Sequence, residues 1–241
     1  MPLSLIRHLS RLILNTWKHW VGPKLVPLLS TIELIGLAIA GLGLWGFAHI
    51  ADEVLESETQ VIDASILLAL HQIQTPWLDQ WMLGVTALGQ PTFLVIVTLS
   101  ISTVLLLRRQ LPEAVILAIA ALGATGLNTL LKEAFARARP ELWQRVIDVR
   151  YYSFPSGHAM VSLVIYGLIG YLLATHFKLQ SGWILGLTAL VIVTIGFSRL
   201  YLGVHWPTDI VAGYAAGTVW LVTCILTLEV WRRKSLQISA Q

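Results

Sequence analysis

Charge is scarce in this chain. Only 12% of its 241 residues are Asp, Glu, Lys or Arg, about half the share of an ordinary soluble domain. Hydrophobic residues make up 56% and mean hydropathy is +0.74. That excludes a soluble globular protein, and the apolar residues come in runs of membrane-spanning length. Cysteine is nearly absent. Cys224 stands alone inside an apolar run, so no disulfide can form within the chain. No polar linker, low-complexity stretch or internal repeat divides the sequence, which leaves one domain. The net charge of +3 is small and the basic residues sit dispersed at run ends, which argues against a nucleic-acid partner. After Lys24 there is no Lys or Arg until Arg108, while Asp52, Glu53, Glu56, Glu58 and Asp63 lie close together. Features of a cleavable signal are missing as well. Arg7, His8, Arg11, Lys18 and His19 interrupt the N-terminal apolar residues, and no small-residue cleavage site follows.

What is present predicts an all-α integral membrane protein. Leu3, Ile6, Leu9 and Ile13 fall at helical spacing and Trp17 and Trp20 follow, the pattern of a helix lying at the interface. Spans are predicted at 28–50, 91–107, 112–132, 158–176, 182–197 and 207–230, with short surface helices within 61–90. The resulting organisation is an amphipathic segment at 1–27, a six-span domain at 28–231 and a tail at 232–241. Gly213 with Gly217, and Gly182 with Gly186, form small-xxx-small pairs that let helices approach closely.

Loop charge predicts the orientation. With a cytoplasmic amino terminus, that side receives Arg7, Arg11, Lys18, Lys24, Arg108, Arg109, Lys178, Arg232, Arg233 and Lys234. The positive-inside rule then puts both termini in the cytoplasm, consistent with a multi-pass protein of the plasma (inner) membrane. The opposite side keeps Lys132, Arg137, Arg139, Arg145, Arg150 and Arg199, all within two segments. Basic groups gathered on the disfavoured side suggest a site for an anion.

Those two segments hold three motifs. They are Lys132 with Arg139-Pro140 after six residues, Pro155-Ser156-Gly157-His158, and Ser198-Arg199 with His205 and Asp209. Each lies where a span meets the interface, so four helix ends can converge there. Ser156 suits an N-cap and Gly157 lets the backbone approach a ligand, so the helix start suits a phosphate oxygen. Pro207 suits a first helical turn, which puts His205 just before the helix and Asp209 within reach of its imidazole. Arg199 offers a planar fork for phosphate or carboxylate. Two histidines, three cations and an acid suit phosphoryl transfer, where positioning and charge stabilisation dominate.

Plainer readings exist for each group. A His and an Asp four apart also make a helix cap or a surface pair, and Lys132 and Arg139 also fit a membrane border. His158, His205 and Asp209 are zinc-binding types, but the adjacent cations would repel a divalent ion. Arg137, Arg145 and Arg150 read as loop charges in preference to guides for anionic lipid, and His8, His19, His49, His71 and His176 as structural or solvated.

Taken together, the three motifs resemble the phosphatidic acid phosphatase type 2 superfamily, which also includes the vanadium haloperoxidases. That family's signature is Lys-x6-Arg-Pro, Pro-Ser-Gly-His and Ser-Arg-x5-His-x3-Asp, and every position is matched between residues 132 and 209. The resemblance implies a membrane enzyme hydrolysing lipid phosphates or diphosphates, phospholipid or polyprenyl. It implies that His205 attacks phosphorus and forms a phosphohistidine, that Asp209 orients it, and that His158 protonates the leaving oxygen. Lys132, Arg139 and Arg199, with the Ser156 hydroxyl and the Gly157 amide, would hold the phosphate. No metal or other cofactor is implied, nor any particular oligomeric state, and the partners are the lipid phosphate and membrane lipids. Two other functions fit the same residues: a lipid phosphotransferase, or a lipid-phosphate binding or transport protein without catalysis. Haloperoxidase chemistry sits poorly with a six-span chain.

Overall fold

The computed structural model describes residues 31–144, 147, 149 and 151–239. The expected interfacial helix at 3–20 lies outside them. The chain divides into a unit Met1–Ile39, of which only the opening of the first helix is described, and a unit Ala40–Gln241 that carries everything discussed below.

Eight α-helices follow one another among the described residues: α1 (Thr31–Leu55), α2 (Gln60–His71), α3 (Pro76–Ala87), α4 (Pro91–Leu107), α5 (Leu111–Phe135), α6 (Gly157–His176), α7 (Ser181–Tyr201) and α8 (Pro207–Ser239). Their boundaries have local causes. Proline occupies the first turn of α3, α4 and α5, where its missing N–H leaves no bond unmade. Thr75 caps α3 by accepting from the Leu78 amide at 3.4 Å. Ala136, at φ 44° in the left-handed region, ends α5 as its N–H closes onto the Lys132 carbonyl at 2.9 Å.

Helices α1, α5, α6, α7 and α8 are each long and apolar enough to cross a membrane, and α3 with α4, bent by 45° at their break, pass the same test only as a pair, so the spans number five, or six if the pair counts as one. Their outer faces confirm the medium. Leu42, Trp45, Leu122, Trp183 and Leu187 are each more than 60% exposed, a surface that water would drive to aggregate and that hydrocarbon covers. This is a multi-pass integral membrane protein.

Helix α6 is the hub, packed against α5, α7 and α8. Ile116, Leu117, Ala120 and Ala124 of α5 meet Val164 and Leu168 of α6 and Cys224 and Leu228 of α8 in one buried cluster. The predicted close approach occurs where α6 meets α8. A Cβ on Gly213 would stand 2.8 Å from the Ser156 carbonyl oxygen, and one on Gly217 would stand 3.0 Å from that of Met160. The other pair differs from expectation. Among the described residues, Cβ atoms on Gly182 and Gly186 would meet nothing within 4 Å, so no helix packs there.

Four helix ends overrun their predicted limits, α1 reaching Leu55 and α5 reaching Phe135. Helix α7 continues to Tyr201, and α8 continues through Arg232-Arg233-Lys234 to Ser239. No Gly or Pro interrupts residues 231–239, and Arg232 ties the helix to Glu113 of α5 while pairing with Glu229 within α8, each at 2.9 Å. Glu113 opens α5 and Lys132 nearly closes it, so the ion pair and the motif cations stand about 28 Å apart along one helix. That is close to the roughly 30 Å of bilayer hydrocarbon, so the motif residues gather at one membrane face.

Candidate active site

The C-terminal ends of α5 and α7 and the N-terminal ends of α6 and α8 converge at that face. Their joint is direct, because the Ser156 amide donates to the Asp209 carbonyl at 3.0 Å and locks the starts of α6 and α8 together. Ser156 is fully buried and its hydroxyl accepts from the Ala159 amide at 3.5 Å, capping α6 as its residue type predicts. Asn128, one turn before Lys132 on α5, donates to the Pro155 carbonyl at 3.2 Å. Its side-chain oxygen lies 2.8 Å from where a Cβ on Gly157 would be, so only glycine fits that turn.

The turn between α7 and α8 holds His205. Val204 N–H returns to the Arg199 carbonyl at 3.2 Å. Gly203 takes φ +67° with the Trp143 ring 2.5 Å from where its Cβ would stand, so both conformation and space demand glycine. His205 and Asp209 are fully enclosed, at 1% and 0% exposure. The imidazole Nδ1 lies 3.1 Å from Asp209 Oδ2, which also accepts the Trp206 amide at 2.9 Å. On the other side of the ring, Arg139 Nη1 lies 3.2 Å from Nε2. A guanidinium can only donate, so Nε2 accepts, and the proton therefore sits on Nδ1, pointing at Asp209. Burial, helped by the charges of Arg139, Arg199 and Lys132, holds this imidazole well below its ordinary value of 6.5. Protonation of His205 is thereby disfavoured, and its Nε2 edge faces the cations.

Two of the three cations, Lys132 and Arg139, are held by backbone oxygens. Lys132 Nζ donates to the carbonyls of Tyr152 (2.6 Å) and Ser153 (3.2 Å). Arg139 donates to those of Tyr151 (2.9 Å), Val204 (2.7 Å) and Tyr152 (3.3 Å). Arg199 is 4% exposed and donates from Nη1 to Thr86 Oγ1 at 2.8 Å. His158 lies within electrostatic reach of Arg199, His205, Arg139 and Lys132. Two buried atoms of this group, His158 Nε2 and Arg199 Nε, have no hydrogen-bond partner among the described residues. Buried polar atoms are seldom left so, and a phosphate ester oxygen is the chemistry both suit. Among the described residues no group of three His, Cys, Asp or Glu side chains is arranged to hold a metal ion.

The match to known proteins follows this geometry. The PAP2 superfamily profile covers residues 113–233, the stretch from the start of α5 into α8. Phosphatidylglycerophosphatase B of Bacillus subtilis is 30% identical over 174 residues, spanning 71% of this chain and 85% of that protein. This chain belongs to the PAP2 superfamily. The undecaprenyl-diphosphatase of Sulfolobus acidocaldarius is 40% identical over 78 residues, 32% of this chain and 34% of that protein. Among solved structures, the transmembrane PAP2 type phosphatidylglycerolphosphate phosphatase of B. subtilis superimposes with a TM-score of 0.74. It is 27% identical, and the match covers 81% of this chain and 96% of that one.

The eight motif residues with expected site roles lie at or beside the converging ends of this PAP2 protein, but others that shape the site have no motif to mark them. Thr86 holds Arg199 from the end of α3. Gly89, in the α3–α4 break, would place a Cβ 2.8 Å from the His158 ring, so a side chain there would displace it. Arg137, read from sequence as a loop charge, instead pairs with Asp209 and Asp63 at 2.8 and 2.9 Å. Asp63 carried a usable signal, since a charge inside an apolar helix calls for a buried partner.

Proposed function

We propose that this protein hydrolyses lipid phosphates or diphosphates through a covalent phosphohistidine on His205. The observation that carries the reading is the placement of His205, whose Nδ1 lies 3.1 Å from Asp209 Oδ2 while Nε2 lies 3.2 Å from Arg139 Nη1. Neutral Nε2 attacks phosphorus as the bond to the lipid oxygen breaks, and His158 delivers a proton to that oxygen. The phosphorylated ring is positive, and Asp209 stabilises it. Water then attacks phosphorus, the P–N bond breaks and His158 takes up the proton. Lys132, Arg139 and Arg199 balance the charge on the phosphate oxygens, supported by the Ser156 hydroxyl and the Gly157 amide at the start of α6. Phosphatidylglycerophosphate and undecaprenyl diphosphate, the substrates in the relatives' names, are the lipid classes to test first.

The positive charge of those three side chains does the work a metal would otherwise do. Purified protein in detergent should release phosphate from such lipids in the presence of strong chelators, and vanadate should inhibit by occupying the phosphate site. Loss of activity in chelator, restored by zinc or magnesium, would contradict this.

Loop charge supports a site facing away from the cytoplasm, with the substrate in the outer leaflet. Gln144 and Arg109 are both exposed, whereas Cys224 is 3% exposed and gives a low labelling background. A cysteine at Gln144 should react with an impermeant thiol reagent in intact cells, and one at Arg109 should not. The reversed pattern would move the site to the cytoplasmic face.

A further inference from the structure

Behind the His205–Asp209 pair lies a second, fully bonded polar network whose other members the three motifs do not specify. Asp209 uses Oδ2 for His205 and Trp206, and its other oxygen, Oδ1, accepts from Arg137 Nη1 at 2.8 Å. The second nitrogen of the same guanidinium, Nη2, donates to Asp63 Oδ2 at 2.9 Å and to Thr59 Oγ1 at 3.3 Å. Thr208 closes the ring. Its hydroxyl accepts from Arg137 Nη1 at 2.7 Å and donates to Asp63 Oδ2 at 2.6 Å, while its amide donates to Asp63 Oδ1 at 3.1 Å. The Arg137, Asp63 and Asp209 side chains are 12%, 1% and 0% exposed. Solvent therefore screens this ion network little.

One guanidinium thus serves two buried carboxylates, and only one of them touches His205. We infer that Arg137 and Asp63 are positioning residues for the reaction, Arg137 holding Asp209 in place and Asp63 limiting how far Arg137 neutralises it. The inference rests on the proposed role of His205. It deepens that role by assigning control of the nucleophile to α2 and to a position in the segment after α5 that the first motif leaves unspecified. Asp209 must be anionic enough to stabilise the positive phosphohistidine, yet a free carboxylate would favour an imidazolium with no lone pair to attack. Sharing Arg137 with Asp63 sets the balance between those demands.

Charged groups face His205 from every packed element: Lys132 on α5, His158 on α6, Arg199 on α7, Asp209 on α8, and Arg139 from the segment after α5. Substitutions behind Asp209 leave all of these in place. Arg137→Gln removes the neutralising charge, so the acid limb of kcat/KM should rise by about one pH unit. Its kcat should fall roughly ten- to a hundredfold, with KM little changed because Arg137 meets Asp209 rather than the phosphate. Asp63→Asn frees the whole Arg137 charge to act on Asp209, so the limb should move the other way, down by about half a unit. Arg137→Lys keeps the charge but loses the fork, so it should restore the wild-type limb without the full rate.

The measurement is a pH series on the full chain in detergent with dioctanoyl phosphatidic acid, whose own ionisation is common to all variants. Opposite shifts for Arg137→Gln and Asp63→Asn support the assignment. Lost activity with unshifted limbs, or shifts in the same direction, would overturn it in favour of a purely structural clamp. If Arg137→Gln does not fold, Asp63→Asn decides alone: a lowered limb supports the assignment, and an unchanged or raised one ends it. His205→Ala separates the two levels. An active His205→Ala protein refutes the nucleophile reading itself. An inert one, with unshifted Arg137 and Asp63 variants, refutes only this inference.

Discussion

Replacing His205 by alanine is expected to lower phosphate release by at least about 10⁴-fold, because the attacking atom disappears with the imidazole. The protein should remain folded. His205 sits in a turn fixed by the Val204–Arg199 backbone bond and by Gly203 under Trp143, and its ring supplies none of the contacts in the buried cluster of α5, α6 and α8. Binding should survive as well, since Lys132, Arg139 and Arg199 are untouched, and Arg139 no longer shares a proton with Nε2. The expected signature is therefore a protein that purifies normally, retains vanadate-sensitive or competitive lipid-phosphate binding, and does not turn over.

The second large effect is at His158, and its size should depend on the substrate. This residue is the second of α6, and its Nε2 is buried without a partner among the described residues. Its backbone is well held: the Ser162 hydroxyl bonds its carbonyl, and the α6 start is capped by Ser156. Acid–base help from a placed histidine is typically worth about 10² to 10⁴ in rate. His158→Ala should cost close to the upper figure for a lipid alkoxide, which needs a proton to leave. A diphosphate, whose leaving group is already a stabilised phosphate, should lose much less. Equal losses for a lipid monophosphate and for an aryl phosphate with an acidic phenol would remove His158 from the leaving-group step. Ala at this position would then be acting only through the charge balance of the pocket.

The membrane fold was legible because hydrocarbon thickness fixes the length of an apolar run, and α4, α5, α6, α7 and α8 begin within a residue or so of where such runs predict. The ends of α7 and α8 were harder, because they depend on partners far along the chain. Arg232 stabilises the extended α8 through Glu113, 119 residues away. The motif residues announced themselves by type and spacing. Arg137 did not, because it looks like any loop cation until folding brings Asp63 and Asp209, 74 and 72 residues distant, to its two nitrogens. Thr86 and Gly89 were silent for a similar reason. A threonine and a glycine at a helix break have many uses, and only the packing of Arg199 and His158 against that break assigns these two. The two glycine pairs look alike in sequence, yet only Gly213 and Gly217 face another helix closely. Spacing supplied the opportunity for contact, and the neighbour had to come from the fold.

The central claim is covalent attachment of phosphate to His205, and rapid quenching tests it most directly. Wild-type protein mixed with phosphorus-labelled lipid phosphate and quenched in base within a turnover should carry label. That label should survive base, be lost in mild acid, and map to the peptide containing His205. With a substrate whose leaving group needs no proton, His158→Ala should accumulate more of it, since water activation is impaired, and His205→Ala should carry none. Label that is absent from wild type at every quench time, or equally present on the His205→Ala protein, would contradict the account.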